Sequence, residues 1–301
     1  MAVMRDVAAP ELTALAHPDE ARQRPWRRLL RRYLPIGLGA LLAVAMVVMA
    51  AAAPWLAPLS PSAQFSDAVL KGPGAQDRHL LGTDEFGRDV WSRIIWGARV
   101  SLQVGLASVA FAFALGVPLG ILAGVQGGRI ETAIMRGADM FMAFPTLLLA
   151  LIIVTALGGT LPNEILAIGV ALVPNFIRLS RSLALQIREQ DYILAARALG
   201  SGQLRVMARH VFPNALYALV VVGTLYIATA IRTEASLSFL GLGIPPPTPS
   251  WGNILSEGRQ YIKCCPWITT FSGLAIMLAV LAFNLVGDSL RDLLDPRLKG
   301  E

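Results

Sequence analysis

Asp191-Tyr-Ile-Leu-Ala-Ala-Arg-Ala-Leu-Gly200-Ser-Gly-Gln-Leu-Arg-Val-Met-Ala-Arg-His-Val-Phe-Pro213 is a polar island with helical spacing, set between two hydrophobic runs. Both runs are long enough to cross a bilayer. Asp191 is expected to cap a short helix, because its carboxylate can accept the free N–H groups of the first turn. Gly200 is expected to end that helix at a left-handed position where a side chain would clash. Ser201 then offers a second cap. Leu204, Val206 and Met207 carry a second short helix, expected to stop before Pro213. Two helices joined at a glycine and held at a membrane surface make a knob that another protein can grip.

Composition reaches the membrane class independently. Only 15% of the 301 residues are charged and 55% are hydrophobic, with a mean hydropathy of +0.58. Soluble domains carry roughly 25% charge, so this chain lacks the polar surface a globule of its length needs. The apolar residues come in six blocks, at 34–57, 100–125, 138–158, 163–181, 214–231 and 267–287. A crossing takes about 20 apolar residues at 1.5 Å each, which most blocks supply. Pro174 and Asn175 interrupt the fourth, a break that neighbouring helices can satisfy. The reading is an all-α membrane protein, a six-helix transmembrane bundle.

Lys and Arg set the orientation. With the amino terminus inside, 18 of the 26 basic residues fall on inner segments, including the run Arg178–Arg209. That bias places both termini and the 182–213 loop in the cytoplasm. It also accounts for most of the pI of 9.8. Nucleic acid is not an expected partner: a reader tethered between two spans is poorly placed to enter a groove. The divisions that follow are a basic cytoplasmic tail over 1–33, a first span with its outer segment over 34–99, a core over 100–288 and a cytoplasmic tail over 289–301. The apolar run after the basic residues Arg22–Arg32 exceeds the 7–15 residues of a signal core and reads as an uncleaved anchor. Arg24-Pro-Trp-Arg-Arg-Leu-Leu-Arg-Arg-Tyr33 suits either a helix in the headgroup region or topogenic charges without fixed structure. Residues 1–21 read as a disordered tail.

The outer segments carry less chemistry. Thr83 is expected to cap a helix resting on the outer interface, with Val90, Trp91, Ile94, Ile95 and Trp96 on its apolar side and Arg88, Asp89 and Arg93 in water. Asp84, Glu85 and Asp89 fit no Ca²⁺ loop spacing; capping and surface solvation are the expectation. In 232–266, Gly241-Leu-Gly243 and Pro245-Pro-Pro-Thr-Pro249 make a stiff loop, either a docking surface or a rigid connector. Cys264 and Cys265 read as ordinary interfacial thiols rather than a strained vicinal disulfide. His17, His79 and His210 are scattered, and no catalytic or metal-ligating constellation forms. There is no phosphate-cradling Gly-x-x-x-x-Gly-Lys-Ser/Thr loop, so ATP is not used by this chain. A gradient-driven transporter would place ionisable groups at mid-membrane. The span centres read as nearly free of them, so an energy source outside the membrane is the simpler reading.

The motifs carry a family resemblance. Ala195-Ala196, three residues, Gly200, nine residues and His210-Val-Phe-Pro213 resemble the cytoplasmic "EAA" loop of binding-protein-dependent ABC importer permeases. Leu194 stands in place of the name-giving Glu, and Phe212 in place of the usual Leu. Leu81-Gly-Thr-Asp-Glu-Phe-Gly-Arg-Asp-Val-Trp-Ser-Arg93, Ala235-Ser-Leu-Ser-Phe-Leu-Gly-Leu-Gly-Ile-Pro-Pro-Pro-Thr-Pro-Ser-Trp-Gly252 and Phe283-Asn-Leu-Val-Gly-Asp-Ser-Leu-Arg-Asp-Leu-Leu-Asp-Pro-Arg297 are similar to the dipeptide/oligopeptide/nickel permeases. The resemblance implies the type I ABC importer permease fold in a bacterial inner membrane. It implies a second permease, two cytoplasmic ATPases and a periplasmic solute-binding protein as partners. It places ATPase coupling on Asp191, Leu194, Ala195, Ala196, Gly200 and Pro213, and a structural role in the loop on His210. Peptides are the implied cargo, with nickel, glutathione or another small solute as alternatives. No cofactor is expected on this chain itself.

The charge bias predicts that a cysteine at Gly202 resists a membrane-impermeant thiol reagent in intact cells and reacts once the membrane is opened. Labelling from outside in intact cells overturns the orientation.

Overall fold

The structure, a computed structural model, describes residues 25–75 and 77–294. The expected disordered tail and the last residues of the carboxyl-terminal tail lie outside the described residues. The order is α1 (Pro25–Ala51), α2 (Ala53–Leu56), α3 (Val90–Gln126), α4 (Gly128–Met142), α5 (Thr146–Leu157), α6 (Leu161–Arg188), α7 (Asp191–Ala198), α8 (Gln203–Val206), α9 (Phe212–Phe239), α10 (Trp251–Gly258) and α11 (Trp267–Leu294). Helices therefore make up the whole bundle, as expected.

The closest packing joins α3 to α6. Gly116, Gly120 and Gly124 recur at every fourth position and form a bare stripe along α3. A Cβ on Gly116 would sit 2.6 Å from the Phe176 Cβ, and one on Gly124 would sit 2.7 Å from the Ala184 Cβ. At Gly120 it would strike the Ser180 hydroxyl and the Ile177 carbonyl. Small residues let backbones approach where lipid supplies no hydrophobic drive between helices. The Ser180 hydroxyl lies in the same seam and donates to the Phe176 carbonyl at 2.6 Å. Helix α9 crosses the amino-terminal half of α3 at Gly105, where a Cβ would come within 2.8 Å of Ile231.

Four described helical segments are long and apolar enough to cross a membrane: α3, α6, α11 and the continuous run Gln203–Phe239. The expected third span over 138–158 is corrected. It is broken between α4 and α5, which meet at 85°. Pro145 supplies the cause: it has no N–H for the helical ladder, and its ring pushes Phe144 away from helical geometry. Counted together, the bent pair makes a fifth crossing. The apolar part of α1, Ile36–Ala51, is shorter. Among the described residues four or five crossings therefore stand where six were expected, and the apolar part of α1 falls short of the sixth. Pro174 sits inside α6 without ending it.

The outer segment also departs from expectation. Its apolar residues form no separate surface helix; they open α3 itself. Asp89 caps α3, accepting from the Ser92 N–H at 2.8 Å. The Thr83 hydroxyl instead donates to the Ala68 carbonyl and accepts from the Lys71 N–H at 2.9 Å. Arg88, Asp89 and Arg93 are buried rather than wet. Asp84 holds Arg88 at 2.6 Å and also pairs with Arg93, while Glu257 on α10 takes Arg93 at 2.7 Å and Arg88 at 2.8 Å. His79 reaches Asp89 at 3.1 Å. Burial pushes the Glu85 carboxyl above its usual range, and the Asp84 and Glu257 carboxylates add to this. Charges so deep need partners, and here two guanidiniums neutralise the carboxylates. The network ties the outer segment to α3 and α10. Cys264 and Cys265 are free thiols. The proline loop is a packed connector at its base, where the Asn253 amide donates to the Ile244 carbonyl, while Pro245–Pro247 stay exposed.

Gly120→Leu is predicted to force α3 and α6 apart at a cost of about 1–3 kcal/mol or more. Membrane abundance and the melting temperature of the extracted protein should both fall. Gly37→Leu, at a position with open space around it, should behave as wild type. Equal behaviour of the two variants would contradict the α3–α6 packing described.

Candidate functional site

Helix α7 ends in a hydrogen-bond pattern that requires glycine. The Gly200 N–H donates to the Arg197 carbonyl at 2.9 Å, and the Ser201 N–H donates to the Ala196 carbonyl at 3.0 Å. These paired bonds are the Schellman motif, which needs a left-handed residue between them. Gly200 occupies it at φ +84°. The expected positive φ is therefore found.

Three local expectations are corrected. Asp191 is the first helical residue rather than the cap; Gln190 takes the cap position, and no side chain bonds there. The Asp191 carboxylate still lies at the positive end of the helix, where a negative charge is favoured. Gly202, not Ser201, precedes α8, again with no side-chain cap. Finally, the second helix does not stop before Pro213. A π-helical turn over Met207–Val211 carries it into α9. Pro213 cannot donate to the ladder, and the widened turn absorbs the missing bond. The Phe212 N–H reaches back to the Met207 carbonyl, and the Asn214 amide donates to the His210 carbonyl.

The knob is anchored on one side and bare on the other. Ile193, Val206 and Val211 are fully buried. Tyr192 and His210 pack with ring centroids 6.3 Å apart, which gives His210 the structural place expected of it. Arg188 donates to the Gly124 carbonyl at 2.8 Å, joining the carboxyl-terminal ends of α6 and α3. On α4, Glu131 takes Arg181 at 2.6 Å and Asp139 takes Arg178 at 2.8 Å. On the free side, Leu194 is 50%, Leu204 77% and Leu199 88% exposed. Ala195 is exposed and Ala196 half-buried, with Arg197, Arg205 and Arg209 exposed around them. The free side of the knob is thus a set of bare leucines among arginines, carried on a buried root. Asp191, Leu194, Ala195, Ala196 and Gly200 share this knob, and Pro213 lies at its junction with α9.

Sequence reasoning missed two carboxylates. The spans were read as nearly free of ionisable groups, yet Glu164 on α6 and Glu234 on α9 are fully buried within helices. Glu234 accepts from Ser101 at 2.9 Å and from Ser238 at 3.0 Å. Neither Glu164 oxygen has a hydrogen-bond partner among the described residues. Both residues lie outside the middle of the hydrophobic blocks. Helix α9 runs to Phe239, well past the expected span end at 231, and so carries Glu234 into the bundle while Arg232 stays exposed.

Comparison with known proteins gives one answer. Residues 116–300 match the family model described as binding-protein-dependent transport system inner membrane component. The chain is 47% identical over 267 residues to the di/tripeptide transport system permease protein DppC of Pseudomonas aeruginosa, covering 87% of this chain and 88% of that one. It is 41% identical to the glutathione transport system permease protein GsiD of Escherichia coli, covering 98% of each. Among solved structures, inward-facing MetNI methionine ABC transporter aligns with a TM-score of 0.56 at 20% identity, covering 67% of this chain and 96% of that one. That likeness carries the fold. With the broken span, the bare knob and these matches together, the chain belongs to the binding-protein-dependent transport system inner membrane component family, as a multi-pass membrane permease.

Proposed function

We propose that this chain is one of two permease subunits in an ATP-driven importer of short peptides, and that the α7–α8 knob receives force from a cytoplasmic ATPase. The observation that carries the reading is the knob itself: leucines left bare on a glycine-built turn between the two helices, α6 and α9, that pack on α3. In this reading both termini and the knob are cytoplasmic, and the network of Asp84, Arg88, Arg93 and Glu257 faces outward. A soluble binding protein delivers cargo there. Two ATPases close on the knobs of the paired permeases and rock them as rigid bodies. ATP stays on those partners.

Di- and tripeptides are favoured as cargo by the name of the Pseudomonas relative. Glutathione, from the second relative's name, is the alternative, and it is itself a tripeptide with free carboxylates. The buried, unpaired Glu164 raises the ion-coupled class again. The family membership and the bare knob weigh against it.

Purified from its native membrane, the chain should bring down a second permease and ATPases. Proteoliposomes holding all components should take up dipeptide with ATP, and this subunit alone should not. Uptake by the lone subunit overturns the reading.

Coupling has its own expected pattern. Gly200→Val places a β-branched side chain at a positive φ, costing roughly 1 kcal/mol or more. The spans are untouched, so uptake normalised to membrane protein should fall while abundance stays near wild type. Ala196→Asp should act likewise by placing an unpaired charge in the contact. Leu194→Glu should be tolerated and Leu194→Lys should not, if apolar contact within a basic rim carries docking. Normal uptake in both Gly200→Val and Ala196→Asp means that the knob is not the coupling element.

A further inference from the structure

One cavity of about 510 Å³ opens between α5, α9, α10 and α11. Leu147, Phe239, Leu240 and Ile276 give it apolar walls, and Arg232 with Ser236 supplies the polar groups. Arg232 stands two turns before the end of α9 and is exposed. Among the described residues no carboxylate lies within ion-pair distance of it. The acidic groups nearest in the chain are committed elsewhere: Glu234 to Ser101 and Ser238, and Glu257 to Arg88 and Arg93. A second cation stands at the edge, since the Arg259 guanidinium lies 5.2 Å above the Phe239 ring.

Two features argue that this face meets protein or water rather than lipid. The break between α4 and α5 leaves Ala143, Phe144 and Pro145 exposed, and the cavity wall begins at Leu147, in the first turn beyond it. Non-helical backbone at membrane depth is tolerated only against protein or a water-filled path. An unpaired arginine on a span obeys the same restriction. A water-filled path beside the outer end of α9 meets both.

We propose that this cavity is a transient binding site for the carboxylate of the transported solute, with Arg232 as its carboxylate-binding residue. The proposal rests on the peptide-importer reading. A guanidinium takes a carboxylate in a two-bond fork, and it does so most strongly where apolar walls thin the water. The Ser236 hydroxyl donates to the Arg232 carbonyl at 2.8 Å, so its oxygen is left as an acceptor for a peptide N–H. The walls accept apolar side chains of varied shape, which suits a path that must bind briefly and release.

The test uses the complete transporter, with both permeases, ATPases and binding protein, in phosphatidylcholine liposomes. Cys264→Ser and Cys265→Ser remove the native thiols, and Ser236→Cys reports on the cavity. An anionic methanethiosulfonate reagent should modify that thiol about tenfold faster than its trimethylammonium analogue, because a cationic site concentrates anions. Adding Arg232→Gln should abolish the preference, and Arg232→Lys should keep most of it. Dipeptide supplied during ATP turnover should slow the anionic modification. In the native background, Arg232→Gln should lower dipeptide uptake about tenfold at wild-type abundance, with partial rescue by Arg232→Lys.

Equal rates for the two reagents, or wild-type uptake with Arg232→Gln, overturn the proposal. Protection by added phosphatidylglycerol but not by dipeptide also overturns it and makes the cavity a lipid site. Failure of the parent reading looks different: no dipeptide uptake by the wild-type assembly, with the reagent preference still present at Ser236→Cys.

Discussion

The close approach of α3 and α6 is the constraint on which the bundle depends. Lipid tails are as apolar as leucine, so burial alone does not select which helices touch. Selection comes from shape. The stripe of Gly116, Gly120 and Gly124 faces Phe176, Ser180 and Ala184, and the two backbones come so near that no Cβ fits between them. Helix α9 then settles on the amino-terminal half of the same α3, at Gly105. A single 37-residue helix thus serves as the post against which the helices before and after the knob are both aligned.

That arrangement roots the knob in the bundle. Helix α6 runs almost directly into α7, and α8 continues through a π-turn into α9. The Schellman turn at Gly200 is the sharp reversal between them. The roots are held by buried Ile193, Val206 and Val211 and by the Arg188 contact to the end of α3. The exposed leucines are therefore joined to two helices of the bundle without an intervening loose loop. The wide turn before Pro213 is a local feature of that connection, and π-turns are frequent at functional positions.

The opposite end of α3 is fixed by charge rather than by glycine. Asp84 and Glu257 clasp two arginines there, and the Trp251 indole donates to the Ile94 carbonyl at 3.0 Å. Charge pairs removed from water add little net stability but penalise misalignment strongly, because one displaced partner leaves a buried charge. The bundle is thus fitted closely at one end by small residues and registered at the other by ion pairs.

The residues alone carried the membrane class, the helical content and the helix–glycine–helix knob, since low charge, apolar blocks and Gly200 are local signals. The Ala195-Ala196…Gly200 spacing marked the exposed turn for the same reason. The glycine stripe of α3 was equally present in the sequence as a four-residue repeat of small residues, but what it packed against was not. Helix ends were least legible. Pro145 broke a span while Pro174 and Pro213 did not, because the cost of a proline depends on whether neighbouring groups satisfy the freed carbonyls. Arg88, Asp89 and Arg93 read as a wet surface, yet all three are buried: the two arginines pair with Glu257, more than 160 positions away in the chain, and Asp89 meets His79 and the Ser92 N–H. Burial of Glu164 and Glu234, and the unpaired standing of Arg232, depend likewise on which helices become neighbours. Local chemistry determined what each segment is; only the tertiary structure decided which charges meet, because pairing across helices has no signature in the spacing of either one.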